Sequence, residues 1–259
     1  MRITFLGTGS AMPTGERFQT GLLLEREGRT LLVDCGSGAL HGLARTSVGY
    51  EGVSSVLLTH HHLDHVADLL PLMKARWLAG EDHLEIAGPR GTKSLVDGLL
   101  NVHEYMRGRL DLTVREVGPY DFEIADFSVE GYETRHSMYC LAYRFGGVSE
   151  SDSEVRETKS RGVFTFSADS DAFEGLANFA EGSAVLVHDC SFPDDTDVSG
   201  HPTPAQLGEA LSGHEIGRIY LSHLYPHTDG RHEEMLESIA AQYDGDVRFA
   251  EDGLSVTIS

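Results

Sequence analysis

The densest chemistry in this sequence is the run Thr59-His60-His61-His62-Leu63-Asp64-His65, which follows directly on the apolar stretch Ser54-Ser55-Val56-Leu57-Leu58. Burying so many ionisable side chains without a counter-charge is costly. A divalent cation removes that cost, and imidazole with carboxylate is a ligand set that suits zinc, manganese or iron. A strand ending in a tight loop lets alternate residues fan toward one point. A surface histidine run or a purification tag is the competing reading, but a tag sits at a terminus and lacks the interleaved aspartate.

The same polar ending recurs on other apolar runs. His136 follows Tyr132-Glu133-Thr134-Arg135, Asp169 follows Val163 to Ala168, His188 and Asp189 follow Ala184 to Val187, and His223 follows Ile219 to Ser222. A lone histidine at a strand end is more often structural than a ligand. Repetition at several strand ends shifts the balance, because reactive residues gather on loops at one rim of a rigid scaffold.

The elements that must position these residues are short. Strands are expected at Ile3–Leu6, Gly21–Leu24, Thr30–Val33, Ser54–Thr59, Leu84–Ala87, Leu141–Phe145, Val163–Phe166, Ala184–Val187, Ile219–Leu221 and Leu254–Ile258. Helical spacing of apolar residues runs from Val66 to Leu78, and helices also fit Thr92–Met106, Pro204–Leu211 and His232–Gln242. Strands lead and helices come in later, which suits two sheets packed face to face with helices outside. No internal repeat and no low-complexity tract is visible. The stretch from Gly146 to Gly162 is polar, charged and aperiodic, and reads as a mobile loop.

Composition narrows the setting. The 259 residues suit one large domain. No apolar run approaches a membrane span, and the N-terminus lacks the charged and apolar regions of a signal peptide. Cys35, Cys140 and Cys190 are few, odd in number and far apart, so free thiols in a reducing cytoplasm are expected rather than disulfides. The net charge is −21, from 41 acidic and 20 basic residues, and the only lysines are Lys74, Lys93 and Lys159. Such a surface repels nucleic acid at long range and resembles proteins of salt-loving microbes.

His60-x-His62-x-Asp64-His65 is the hallmark pattern of the metallo-β-lactamase superfamily, and further segments resemble ribonuclease Z, the tRNA 3′-end processing endonuclease. They are Phe5-Leu6-Gly7-Thr8-Gly9-Ser10 with Pro13 and Arg17, Leu32-Val33-Asp34-Cys35-Gly36, Phe166-Ser167-Ala168-Asp169-Ser170 (Ala168 standing where the family has glycine), His188-Asp189-Cys190-Ser191-Phe192 (Asp189 standing for glutamate), His201-Pro202-Thr203 and Leu221-Ser222-His223. They occur in the family's order over nearly the whole chain. The resemblance implies an α/β fold, the four-layer αββα metallo-β-lactamase sandwich, over residues 1–259.

It also implies two divalent metal ions, zinc by default with manganese or iron possible. One would take His60, His62 and His136, the other Asp64, His65 and His223, with Asp169 bridging them. His61 alternates to the opposite side. The metals would activate a bridging hydroxide against a phosphodiester. The catalytic residues implied are Asp64 at the metals and His201 as proton donor to the leaving oxygen, oriented by Asp189. The Gly7–Ser10 turn could present N–H groups to an anion and Arg17 could contact a phosphate. His41, His83, His103, His214, His227 and His232 read as surface or structural.

One departure bears on substrate. Ribonuclease Z carries a long arm that grips tRNA between the segments matched here by Ala142-Tyr143-Arg144 and Ser167-Ala168-Asp169. Only the polar stretch between Gly146 and Gly162 lies there, without a Gly/Pro-rich apolar tip. The expected substrate is therefore a phosphodiester, a small molecule or an RNA 3′ end. A true tRNA 3′-processing endoribonuclease and a lactonase or thioesterase on the same scaffold are the alternatives. The expected partners include no membrane, and a homodimer is expected because the tRNA enzymes resembled work as dimers. The charge carries one prediction: if surface carboxylates repel one another, thermal melts should move upward from low to molar KCl as the screening length falls to about 3 Å. A flat or falling curve would remove the salt-adaptation reading.

Overall fold

The structure is a computed structural model and describes residues 1–146, 162–196 and 198–258. In chain order the first sheet is built from β1 (Arg2–Gly7), β2 (Gly21–Arg26), β3 (Arg29–Val33), β4 (Ser55–Leu57), β5 (His83–Gly88) and β6 (Asp111–Glu116). The second is built from β7 (Asp121–Ile124), β8 (Phe127–Glu133), β9 (Leu141–Phe145), β10 (Phe164–Phe166), β11 (Val185–Asp189), β12 (Ile219–Ser222) and β13 (Val247–Phe249). The last strand, β14 (Ser255–Thr257), returns to the first sheet beside β1. The sheet orders are β14-β1-β2-β3-β4-β5-β6 and β13-β12-β11-β10-β9-β8-β7.

Each sheet changes character midway. β14, β1, β2 and β3 pair antiparallel, and β3 to β6 pair parallel. The second sheet repeats this, antiparallel from β7 to β10 and parallel from β10 to β13. The two halves thus share a connectivity that the sequence did not betray. Parallel neighbours cannot be joined by a hairpin and need a crossover, usually helical. The first half supplies α1 (Ala39–Ala44), α2 (Leu63–Val66), α3 (Leu69–Ala79) and α4 (Thr92–Val102), and the second α5 (Glu174–Ala180), α6 (Pro204–Leu211) and α7 (His232–Ala240). Helices are therefore interleaved with strands throughout, contrary to the expectation that strands lead. The apolar residues of α1 and α5 cover less than two turns, too short for a helical period to show.

Alternation along the strands separates an inter-sheet core from helix-facing layers outside it. Leu22, Leu24, Leu31, Val33, Val185 and Val187 face the opposite sheet, where Phe5, Tyr143, Phe145, Phe164 and Tyr220 join them. The intervening Leu23 and Leu32 face α1, α3 and α4, and Leu186 faces α5, α6 and α7. Strands apolar on both faces read as continuous apolar runs, which is why they were legible in the sequence. The result is the expected αββα layering. Cys35, Cys140 and Cys190 are buried and unpaired. No helix among the described residues is long and apolar enough to cross a membrane.

The sequence and the structure differ at element ends. The helix expected from Val66 to Leu78 is two pieces, because Asp68 leaves the helical line and its Oδ2 accepts the N–H groups of Gly38 and Leu40 at 2.8 and 3.0 Å. It caps the start of α1 from a distance, a role local spacing cannot reveal. The helix expected from Thr92 to Met106 stops at Val102, and Glu104–Met106 is a separate 3₁₀ turn. His188 and Asp189 lie inside β11 rather than beyond it. The expected loop at residues 147–161 lies outside the described residues. Helix α6 starts where its sequence says: Thr203 and Gln206 form a capping box and Pro204 opens the helix. Asp68→Ala should lower the free energy of unfolding by about 1–2 kcal/mol, the scale of a lost N-cap. Urea denaturation of the purified protein would check this, and an unchanged midpoint would refute it.

Candidate active site

The parallel strands of both sheets end at one rim, and the chemistry sits on those ends. Asp34 follows β3 directly, Thr59 and His60 follow β4, Asp169 follows β10, Asp189 closes β11 and His223 follows β12. His62 caps α2, which carries Asp64 and His65, and His136 lies between β8 and β9. In open α/β sheets the crevice outside the carboxyl ends of parallel strands is where ligands bind. Here two such rims are pinned together: Tyr143 donates its buried hydroxyl to the Leu58 carbonyl at 2.8 Å, and Leu141 N–H donates to the Thr59 carbonyl at 3.1 Å.

All seven expected ligands converge. His60 Nε2 and His136 Nε2 stand 3.1 and 3.0 Å from His62 Nδ1, and Asp169 Oδ2 is 3.7 Å from His60 Nε2 and 3.9 Å from His136 Nε2. On the other side His223 Nε2 is 3.0 Å from Asp64 Oδ2 and 3.2 Å from Asp169 Oδ2, while His65 Nε2 is 3.3 Å from Asp169 Oδ1. Asp169 reaches both groups. His60, His62, His136 and Asp169 form one cluster able to hold a cation, and Asp64, His65 and His223 a second.

Outer partners decide which nitrogens carry lone pairs inward. His65 Nδ1 donates to Asp34 Oδ2 at 2.7 Å. Asp34 also accepts the Thr59 N–H and hydroxyl, both at 2.8 Å, which leaves the Thr59 oxygen to accept from His60 Nδ1 at 3.0 Å. His136 Nδ1 donates to the Gly200 carbonyl at 3.1 Å. Ser191 donates to Asp189 Oδ1 at 2.6 Å and accepts from His223 Nδ1 at 2.9 Å. With Nδ1 protonated on His60, His65, His136 and His223, their Nε2 lone pairs all point to the centre. His65 Nε2 is buried and has no hydrogen-bond partner among the described residues. Converging lone pairs, an orphaned nitrogen and two carboxylates fit cations, and outer hydrogen bonds of this kind fix ligand orientation. Ligands about 2.0–2.1 Å from a tetrahedral ion stand about 3.3 Å apart, which matches the spacings above.

The electrostatics agree. Burial, reinforced by the neighbouring imidazoles His65, His136 and His62, holds His60 well below the usual imidazole range. Burial works against the charge on Asp169, yet the surrounding imidazoles, His223 and His65 foremost, hold its carboxyl well below the usual range. Burial likewise works to lower the His65 pKa, but the charges and hydrogen bonds of Asp169 and Asp34 hold it well above the usual imidazole range, so the charge of the buried carboxylates is answered from within the cluster.

Beside this cluster stands the expected pair. Asp189 Oδ2 is 2.6 Å from His201 Nδ1, and both residues are buried. The His201 ring lies parallel to that of His223, centroids 5.3 Å apart. Burial alone would lower the His201 pKa, but the charge and hydrogen bond of Asp189, with Asp169 and Asp64 behind, raise it to about 9. The capping box of Thr203 and Gln206 fixes the segment that carries it. Through Ser191, Asp189 orients His223 as well, so one carboxylate aligns a cluster residue and the pair's imidazole.

Three sequence readings are corrected. Arg17 is not presented to a ligand: its Nη1 donates to Thr8 Oγ1 at 2.6 Å and to the Ala250 carbonyl at 2.7 Å. The Gly7–Ser10 turn offers no anion nest at Thr8 or Gly9, since Thr8 N–H donates to Asp252 Oδ1 and Gly9 N–H to the Phe18 carbonyl. His188 follows the period of Leu186, away from the inter-sheet face, and its Nδ1 donates to the Asp189 carbonyl at 2.7 Å. His61 turns away as expected, toward the Thr92 hydroxyl at 2.9 Å. Sequence reasoning missed Asp34, although a charged residue closing the apolar run Leu31-Leu32-Val33 was the available signal. It also missed Thr59, Ser191 and the Gly200 carbonyl, which carry no signal because they act only through contacts across the fold.

Comparison with known proteins agrees with this geometry. The family model described as Anti-Pycsar protein Apyc1 matches residues 1–251. A ribonuclease Z of Methanopyrus kandleri is 32% identical over 281 residues, covering 98% of this chain and 96% of that protein. Among solved structures, the metallo-β-lactamase fold protein YhfI from Bacillus subtilis superposes with a TM-score of 0.80 at 24% identity, over 98% of each chain. The short form of human tRNase Z superposes with a TM-score of 0.76 at 20% identity, over 100% of each chain. Both share the fold. The chain thus belongs to the Anti-Pycsar protein Apyc1 family, among the ribonuclease Z-like metal-dependent hydrolases of the metallo-β-lactamase superfamily that act on phosphodiester bonds.

Proposed function

We propose that this chain, as one domain of residues 1–259, holds two divalent cations, zinc by default and otherwise manganese or iron, and hydrolyses small phosphodiesters. His60, His62 and His136 would hold one cation, Asp64, His65 and His223 the other, with Asp169 shared. Bound there, two cations supply an activated water and neutralise charge growing on the phosphoryl oxygens. The observation that carries the reading is the Asp189–His201 pair. A phosphodiester releases an alkoxide that needs a proton, and His201 is held protonated at neutral pH beside the ligand cluster. A lactone or thioester needs the cations but not such a donor. Asp189 keeps the His201 proton on Nδ1 and leaves Nε2 to donate.

The small-substrate preference rests on charge and length. A chain with net charge −21 repels a polyanion, and each lost phosphate contact weakens binding and flattens its salt dependence. The stretch between Gly146 and Gly162 holds Arg156, Lys159 and Arg161 but also Glu150, Asp152, Glu154 and Glu157, so its composition is not that of a basic clamp. A cytoplasmic homodimer adapted to salt is part of this reading. The second reading is tRNA 3′ processing, favoured by the name of the curated relative that nearly the whole chain matches. Comparison of bis-nitrophenyl phosphate with a 3′-extended precursor tRNA at matched salt separates the two. A far higher kcat/KM for the tRNA, with a single cut at the 3′ junction, would restore the second reading.

Two substitutions probe the parts. His201→Ala should lower kcat about 10²–10⁴-fold with metal content unchanged. The loss should shrink for a nitrophenolate leaving group, which needs little protonation; an equal loss for good and poor leaving groups would make His201 a binding residue instead. Asp34→Ala should weaken zinc affinity about 10- to 100-fold by freeing His65 and Thr59, as loss of an outer partner does. Elemental analysis after dialysis against graded chelator measures it. Two ions per chain are expected in the parent protein, and none after zinc or manganese loading would sink the metal assignment.

A further inference from the structure

One carboxylate beside the site belongs neither to a candidate cluster nor to the Asp189–His201 pair. Asp171 lies two residues past Asp169, between β10 and α5, and is partly buried. Its Oδ1 accepts the Gly200 N–H at 2.7 Å. The carbonyl of the same glycine accepts from His136 Nδ1 at 3.1 Å. The Asp171 N–H in turn donates to the Arg135 carbonyl at 2.9 Å, in the peptide that leads into His136. One residue therefore reaches His136 twice, at its backbone through Arg135 and at its imidazole through Gly200.

The surroundings brace both ends of this link. The Thr134 hydroxyl donates to the Asp169 carbonyl at 2.9 Å, and the Arg135 N–H donates to the Ser170 hydroxyl at 3.2 Å. The Arg135 guanidinium lies over the Phe173 ring, 4.1 Å from its centroid. The segment that carries His136 is thus laced to residues 169–173 by backbone and side chain alike. At the other end Gly200 has a φ of +90°, in the region that favours glycine, and a Cβ there would stand 3.0 Å from His136 Nδ1. The peptide can approach the imidazole this closely because it carries no side chain. A hydrogen bond that only closed a surface loop would not need to end on the one peptide whose carbonyl holds a cluster histidine.

We infer that Asp171 is a positioning residue for His136: its carboxylate fixes the Gly200 peptide, and the Gly200 carbonyl fixes the tautomer and direction of the imidazole. This rests on the two-cation reading and assigns a residue within it. Asp189 has the corresponding place on the other side, acting on His223 through Ser191. Asp171 serves as an acceptor, so an amide oxygen in the same place should do as well as a carboxylate. Its Oδ2 makes no hydrogen bond among the described residues, which leaves room for the amide nitrogen. Truncating the side chain removes the link to Gly200 and keeps the backbone bond to Arg135, so the fold should survive. Loss of an outer partner lowers metal affinity about 10- to 100-fold. Here the loss should fall mainly on the cluster that contains His136.

The test counts ions and watches one proton rather than turnover. Zinc-loaded protein is dialysed against graded chelator and its zinc content measured. Asp171→Ala should release one ion at about 10- to 100-fold lower chelator than the parent protein, with the other moving less. Asp171→Asn should keep both ions as the parent does. Unchanged release in Asp171→Ala overturns the proposal, as does an Asp171→Asn variant that behaves like Asp171→Ala. An equal shift of both ions with a fallen urea midpoint would make Asp171 a merely structural residue and overturns it too. The second readout is proton NMR of the metal-free protein, in which the His136 Nδ1–H held by Gly200 should give a slowly exchanging downfield signal. That signal should vanish in Asp171→Ala and persist in Asp171→Asn; its survival in Asp171→Ala overturns the proposal. Loss of the signal in Asp171→Ala, in a protein that takes up no zinc, would support the positioning role and overturn the two-cation reading alone.

Discussion

The structure turns on the burial of carboxylates and imidazoles in one place. Asp34, Asp64, Asp169 and Asp189 are 0, 4, 2 and 1% exposed, and His60, His65 and His223 are buried among them. Groups that lose their hydration must recover it in hydrogen bonds or a cation. The outward-facing nitrogens of four histidines have such a partner: Asp34 for His65, Thr59 for His60, Gly200 for His136 and Ser191 for His223. The inward-facing atoms meet only one another, and His65 Nε2 has no hydrogen-bond partner among the described residues. Buried carboxylates and imidazoles converging in this way could hold metal ions.

That constraint explains the architecture around it. Two sheets of the same connectivity meet so that the carboxyl ends of their parallel strands share one rim. The first half brings Asp34, His60, His62, Asp64 and His65, and the second brings His136, Asp169, Asp189, His201 and His223. The group of His60, His62, His136 and Asp169 and the group of Asp64, His65 and His223 each draw on both halves, so the inter-sheet core and the Tyr143–Leu58 hydrogen bond hold the site in register as well as the fold. Left-handed backbone at Asp34, Ala168 and His223 lets each strand turn sharply at the rim. Non-glycine residues adopt that conformation at a cost of about 1–2 kcal/mol. Ala168 bears it immediately before Asp169, where glycine would relieve it.

Asp189 ties the two parts of the candidate site together. Its Oδ2 holds His201, and its Oδ1 holds Ser191 and through it His223. His201 and one candidate cation cluster are therefore tied to the end of β11 by a single carboxylate. The capping box of Thr203 and Gln206 starts α6 two residues after His201.

Much of this was legible in the sequence. The run from His60 to His65 announced a cation site by itself, because few arrangements other than metal binding make so many ionisable residues after an apolar strand affordable. The strands buried on both faces announced themselves as apolar runs, and the αββα sandwich followed from the resemblance of their polar ends to a known order of motifs. Three things only the tertiary structure decided. Arg17 and the Gly7–Ser10 turn look like phosphate contacts in isolation, and their donors prove to be spent on Thr8, Ala250, Asp252 and Phe18. Asp34 and Ser191 gain their roles from residues 31 and 32 positions further along, at separations local pattern does not encode. Asp68 breaks a helix whose periodicity runs on through it, because α1, 28 residues earlier, has N–H groups to satisfy. Sequence fixes which side chains can do chemistry; which of their hydrogen bonds remain open is settled by what packs behind them.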